Sequence, residues 1–226
     1  MARQMPVGHY GRFAIFIDGS NLYHTIRDLG LHVDYRRLLE YFSTKGWLVR
    51  AFYYTALLEG DLTPDWLIRL TDWLSYNGFN VITKRAKIFR RRVADEGGAL
   101  HWVSEVKGNV DIEMAVDMIT LAPHCDTIIL FSGDGDFVSL VDAVQRVGTR
   151  VVIISSEKTS DSTVADELRR QADEFVELTT IADHIRMLDR DMTIGMNNNH
   201  GHIPTHGPIH GPPHAPIHGP SPTHIR

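Results

Sequence analysis

The run Phe13-Ala14-Ile15-Phe16-Ile17 has no polar residue at either parity. A strand with one wet face alternates, whereas a strand covered on both faces is apolar throughout, so this run predicts a central strand of a parallel sheet. Comparable runs predict strands at Leu48 to Tyr54, from Val81-Ile82 onward, at Thr127 to Phe131, at Arg150 to Ile154 and, shorter, at Phe175 to Leu178. Between them the apolar period lengthens to that of a helix. Helices are predicted from Asn21 to Leu29, after an Asp34 N-cap with Leu38, Leu39 and Phe42 on one face, and from Pro64 to Tyr76 with an Asn77-Gly78 stop. Three more are predicted at Val110 to Leu121, at Phe137 to Val147 with Gly148 as C-cap, and at Thr163 to Ala172. Lys87 to Val93 and Ala99 to Val103 flank Asp95-Glu96-Gly97-Gly98, which predicts a hairpin.

Strands alternating with helices imply an α/β fold, with a mostly parallel central sheet of five or six strands covered by helices on both faces, plus the hairpin. In such sheets ligands bind at the carboxyl ends of the strands, which is where chemistry is sought.

The pattern stops near Gly195. From His200 to Arg226 seven of 27 residues are His, seven are Pro and four are Gly, with no aromatic side chain. Such a stretch has too little apolar surface to offset its chain entropy, so 195–226 is expected to be a disordered tail and 10–190 the folded domain. The tail histidines suit weak binding of Ni²⁺, Cu²⁺ or Zn²⁺. Composition adds three exclusions. With 43% apolar and 23% charged residues the chain as a whole is globular. No apolar run reaches the roughly 18 residues of a membrane span, and Met1 to Arg12 shows no apolar leader, so a cytoplasmic setting is expected. A single cysteine, Cys125, leaves no internal disulfide and suits an inert apolar role.

Two of the apolar runs end in acid. The first leads into Asp18-Gly19-Ser20-Asn21, and the one at 127–131 leads into Ser132-Gly133-Asp134-Gly135-Asp136. A third acid, Asp111, follows Lys107-Gly108-Asn109-Val110 at a helix start. Each alone is explained by capping or turn formation. Together they predict that Asp18, Asp111, Asp134 and Asp136 converge. Carboxylates crowded into one cleft repel one another, and a divalent ion removes that cost. An all-oxygen donor set suits Mg²⁺ or Mn²⁺, and such an ion supplies the chemistry of phosphodiester hydrolysis. Asn21 and Ser132 are neutral groups able to orient water or phosphate. Glu113 reads as solvated, and Asp117 as a supporting residue behind the acids.

The segments Phe16-Ile17-Asp18-Gly19-Ser20-Asn21-Leu22, Lys107-Gly108-Asn109-Val110-Asp111 and Ser132-Gly133-Asp134-Gly135-Asp136-Phe137 resemble, in this order, the NYN domain, the LabA-like branch of the PIN-like nucleases. The likeness covers about Phe13 to Leu178. Two residues, Asn109 and Val110, separate Lys107-Gly108 from Asp111 where many relatives have one. The resemblance implies a PIN-like, Rossmannoid three-layer α/β/α fold. It also implies metal-dependent cleavage of RNA at the aspartate cluster, with Asp18, Asp111, Asp134 and Asp136 as catalytic and metal-holding residues. On that reading the protein is an endoribonuclease; the other reading is a catalytically silent module that binds RNA or a protein partner.

The net charge of −5 hides a local excess of cations. From Lys84 to Lys107 seven cations (Lys84, Arg85, Lys87, Arg90, Arg91, Arg92 and Lys107) stand against Asp95, Glu96 and Glu105. Placed just before the Asp111 helix, they suit a surface that guides single-stranded RNA, with Lys107 nearest the acids. His101 and Trp102 offer a stacking face, while a solvated hairpin guarding a sheet edge explains the same charges. Trp66 and Trp73, seven apart, suit core packing or a homodimer contact, and Trp47 suits packing. His24 and His32 are isolated and read as core or surface residues. A haloacid-dehalogenase-like enzyme would carry an acid where Phe16 stands, and a Toprim domain a glutamate where Asp18 stands.

Overall fold

Alternation of apolar runs and helical periods becomes a single seven-stranded sheet in the computed structural model, which describes residues 9–59, 62–94, 100–159 and 164–188. The strands are β1 (Gly11–Asp18), β2 (Gly46–Leu58), β3 (Phe79–Ala94), β4 (Leu100–Lys107), β5 (Thr127–Phe131), β6 (Arg150–Ser155) and β7 (Glu174–Glu177). The helices are α1 (Gly19–Asp28), α2 (Tyr35–Ser43), α3 (Asp65–Tyr76), α4 (Asp111–Leu121), α5 (Val138–Arg146), α6 (Asp166–Gln171) and α7 (Leu178–Ile185). Strand order is β4-β3-β2-β1-β5-β6-β7, and every pair is parallel except β3 with β4. The chain winds outward from β1 in one direction and from β5 in the other. The order therefore reverses between β1 and β5, and the carboxyl ends of those two strands flank a crevice.

The unbroken apolar run of β1 is explained by two cores, one on each face. Phe13, Ile15 and Ile17 point into a core with α1, α2, α3 and α7, contributed by Leu22, Leu38, Phe42, Leu74 and Ile181 among others. Ala14 and Phe16 point into a second core with α4, α5 and α6, through Met114, Met118, Val141 and Leu168. Period-two alternation thus assigns each β1 side chain to a core.

Local chemistry sets the helix starts. Asp34 caps α2 as its position predicts, accepting from the Arg36 and Arg37 amides. Pro64 stands immediately before α3. The helix at 163–172 is shorter than predicted, because the regular turns begin at Asp166. The sequence reading placed no helix after β7, yet α7 forms there and buries Leu178, Ile181 and Ile185. Trp47, assigned to packing, is 75% exposed at the start of β2. Segment 195–226 lies outside the described residues. Among those described, no helix is long and apolar enough to cross a membrane.

The hairpin is larger than the sequence suggested. β3 pairs with β2 as far as Ala86, and its remaining residues pair only with β4. An arm therefore stands past the carboxyl edge of the sheet, and the chain returns from it into α4 through Gly108. Gly108 has φ +130°, and a Cβ there would lie 2.9 Å from the Ala86 Cα. Gly30 also has positive φ, at +61°, but open space around it. Gly108→Ala should cost about 3 kcal/mol and Gly30→Ala about 1 kcal/mol, since only the first adds a backbone collision to the conformational strain. Urea unfolding of both variants checks the difference.

Candidate carboxylate site at the sheet switch point

Asp18 is the last residue of β1, and only 7% of it is exposed. Its carboxylate does two local jobs at once. Oδ1 accepts from the Asn21 backbone N–H at 3.1 Å, which caps α1. Oδ2 accepts from the Ser132 hydroxyl at 3.0 Å, across the crevice to the end of β5. Ser132 in turn accepts from the Asp134 N–H at 3.1 Å. A second strap runs the other way: the Gly133 N–H donates to Asn21 Oδ1 at 2.9 Å. Asp134 Oδ1 accepts from the Asp136 N–H at 2.9 Å and caps the short 3-10 turn that precedes α5. Asp134 is half-buried and Asp136 exposed.

Gly19 makes the tight departure from β1 possible. A Cβ there would lie 2.6 Å from Tyr53 Cζ and 2.7 Å from the Tyr54 carbonyl oxygen. Tyr54 pairs in register with Asp18, and its hydroxyl donates to Asp117 on α4 at 2.7 Å. That bond ties α4 to the sheet, and it is Tyr54, not one of the acids, that Asp117 holds. Asp111 opens α4, and its Oδ2 accepts from the Asn109 side-chain amide. The sequence reading did not single out Gly19 or Tyr54, and noted Asn109 only for the spacing before Asp111. The only trace of Tyr54 was a phenol ending an apolar run, which packing explains equally well.

The model of the NYN domain family matches residues 12–179. The chain belongs to that family. It is 33% identical over 181 residues to the low amplitude and bright protein LabA of Synechococcus elongatus, covering 79% of this chain and 90% of LabA. The uncharacterized protein MJ0482 of Methanocaldococcus jannaschii is 34% identical over 73 residues, 30% of each chain. Among solved structures, VPA0982 of Vibrio parahaemolyticus, a protein of unknown function, is 25% identical with a TM-score of 0.57, covering 81% of this chain and all of that one. The fold is accordingly PIN-like, and the NYN domain is of the PIN-like nuclease type.

In this NYN domain the acids feel one another. Burial raises Asp18 above the ordinary carboxylate range; the bonds from Asn21 and Ser132 oppose that, and the charge of Asp134 adds to it. Asp111 is pushed up to about 6, by burial first and then by the charges of Asp18, Asp134, Asp136 and Glu113. Their side chains stop short of a closed cage: among the described residues, no three His, Cys, Asp or Glu side chains are gathered to hold one ion. The donor chemistry nevertheless fits a hard divalent cation, because every donor is a carboxylate oxygen and the excess negative charge is unrelieved.

The basic segment divides in two. Lys84 is ion-paired with Glu113 of α4 at 2.8 Å, and Lys87 lies 3.6 Å from Glu59. Glu113, read from sequence as solvated, is thus held, and the hydrogen bond from Lys84 keeps its carboxyl below the usual value. Arg85 and Arg92 are exposed on β3. The side chains of Arg90, Arg91, His101, Trp102 and Lys107 lie outside those described. Trp66 and Trp73 are half-buried against the core of α1, α2, α3 and α7. His24 is exposed and His32 half-buried. Cys125 is buried, and burial pushes its thiol up to about 11, as suits an inert residue.

Two consequences are measurable. With its folded value raised to about 6 and its unfolded value near 3.9, Asp111 releases its proton earlier in the unfolded chain. Its share of stability is full below about pH 4 and is lost as pH rises through about 6. In EDTA, Asp111→Asn should melt about 2–4 °C above wild type at pH 7.5, and the two melting curves should merge near pH 4. Separately, Tyr54→Phe should cost about 1–2 kcal/mol, and a double-mutant cycle with Asp117→Ala, which removes the acceptor, should return most of that as coupling energy.

Proposed function

We propose that this NYN domain is a Mg²⁺- or Mn²⁺-dependent endoribonuclease acting on single-stranded RNA in the cytoplasm. The observation that carries the reading is Asp18: a buried carboxylate bonded to Asn21 and Ser132, at the sheet switch point, in the electrostatic field of Asp111 and Asp134. Asp18, Asp111, Asp134 and Asp136 would hold the ion through carboxylate oxygens. A divalent ion bound there supplies Lewis acidity and lowers the pKa of water. Ser132 fixes the direction of the Asp18 carboxylate, since its hydroxyl is engaged on both sides. Asn21 has its carbonyl oxygen on Gly133, so its amide nitrogen is the group it offers to a phosphate oxygen. Water attacks phosphorus in line, the bond to O3′ breaks, and the departing oxygen takes a proton, leaving a 5′-phosphate and a 3′-hydroxyl. Arg85, Arg90, Arg91, Arg92 and Lys107 hold the RNA backbone, with Lys84 and Lys87 bracing the base of the arm through their ion pairs.

A second reading is a silent module that binds RNA or a protein partner, and the open arrangement of the carboxylates favours it. The test is cleavage of an end-labelled single-stranded RNA by wild type, Asp18→Asn and Asp134→Asn, each with Mn²⁺, with Mg²⁺ and with EDTA. Asp134→Asn keeps the oxygen that accepts from the Asp136 N–H, whereas Asp18→Asn keeps only one of its two acceptor oxygens, so the melting temperature of each variant is measured beside its activity to separate lost folding from lost cutting. Wild type should cut only with metal, and each variant should lose at least about a hundredfold in rate. Equal cutting by the variants removes the assignment of these residues. No cutting with undiminished binding by all three proteins establishes the silent module instead.

A further inference from the structure

α1 leaves the carboxylate site at its first turn, and its outer flank runs through Ser20, Tyr23, His24 and Arg27. These are i, i+3, i+4 and i+7, one face of a helix. The opposite face buries Leu22 and Ile26. Ser20, His24 and Arg27 are exposed and Tyr23 is half-exposed, so this flank is open to solvent.

Tyr23 is the centre of a group of flat side chains. Its ring stacks on Trp66 with centroids 5.1 Å apart and planes 20° apart. The His24 ring stands edge-on to it at 5.6 Å. The Arg27 guanidinium carbon lies over it, 5.8 Å from the centroid, and the Arg27 side chain is 53% exposed. Trp66 comes from the first turn of α3, whose chain leaves β2 at the same carboxyl edge as Asp18 leaves β1. Two separate elements therefore bring a tryptophan, a tyrosine, a histidine and an arginine to the rim where the acids lie. Tyr23 is five residues beyond Asp18, about 7.5 Å along the helix axis.

We infer that the exposed Arg27 guanidinium, backed by the stacked rings of Tyr23 and Trp66, forms a stacking platform for an unpaired nucleobase of a strand lying along the carboxylate site. The inference rests on the RNA-cleaving reading above and adds to it the groups that recognise a base. Aromatic rings and guanidinium planes stack on any base, so the platform discriminates little by sequence. It does require the base to be unstacked from its own strand. The chemistry therefore selects single-stranded over duplex RNA, which a basic arm alone does not do.

The test compares two eight-nucleotide probes: oligouridylate, and the same ribose-phosphate backbone with every internal base removed. Affinity is measured by fluorescence anisotropy on the full chain in EDTA, where nothing is cut. Tyr23→Ala and Tyr23→Leu should each weaken binding of oligouridylate about tenfold and leave the abasic probe unchanged. Tyr23→Phe should bind both probes as wild type does. Tyr76→Ala, at the far end of α3, should change neither. Leucine keeps the apolar packing of Tyr23, so loss with alanine but not leucine marks a folding effect and overturns the platform. Equal affinity of wild type for both probes overturns the platform and leaves the RNA reading standing. Failure of wild type to bind either probe, in EDTA and again with Ca²⁺ in place of EDTA, removes both.

Discussion

The carboxylate of Asp18 is the point on which this domain turns. One oxygen caps α1, and the other accepts from Ser132 across the reversal of strand order. With the return bond from Gly133 to Asn21, two hydrogen bonds cross between segments 112 and 114 residues apart in the chain. Hydrogen bonds to a charged acceptor are the stronger kind, and here the acceptor Asp18 ends β1 while the donor Ser132 follows directly on β5. The crevice is therefore preset. The β1–α1 and β5–α5 connections cannot drift apart without breaking both straps.

That order has an electrostatic consequence. Holding Asp18 in place buries a carboxylate, and α4 adds Asp111 nearby, so both groups sit above the usual carboxylate range. The packing that secures them does not relieve their charge. Tyr54 fastens α4 through Asp117, and Lys84 fastens its first turn through Glu113. These contacts hold Asp111 beside the other acids against repulsion. Such a site is stabilised by whatever positive charge arrives, and its residual strain is the reason a cation is the natural ligand to propose.

Much of this was legible in the order of residues. A short apolar run with no polar parity, rich in Ile and Phe, suits a doubly covered strand, so β1 and β5 were readable, and the acids at their ends were sought by the rule on carboxyl edges. Asp34 was readable because a cap is a local matter. What escaped depends on partners distant in sequence. α7 exists because Leu178, Ile181 and Ile185 complete the core with α2, and nothing local to 178–185 announces that core. The bond from Tyr54 to Asp117 spans 63 residues. Trp47 looked like a core residue because a single large apolar side chain carries no sign of which way its strand faces.

The arm poses the opposite problem, a charge surplus in a protein whose total is negative. A polyanion approaching four carboxylates is repelled unless cations lie along its path. Lys84 and Lys87 sit where the arm leaves the sheet, each with an acid partner, and partly exposed pairs of this kind contribute little free energy. Their bonds are weak enough for a phosphate to compete, yet Lys84 cannot move fully to a phosphate without adding the bare charge of Glu113 to the field at Asp111. The base of the arm is thus better suited to holding α4 than to gripping substrate. On the proposed function, sustained phosphate contact would fall to the arginines further along, and the stack at Tyr23 would add what charge does not: an attraction for the strand that holds beside the carboxylates.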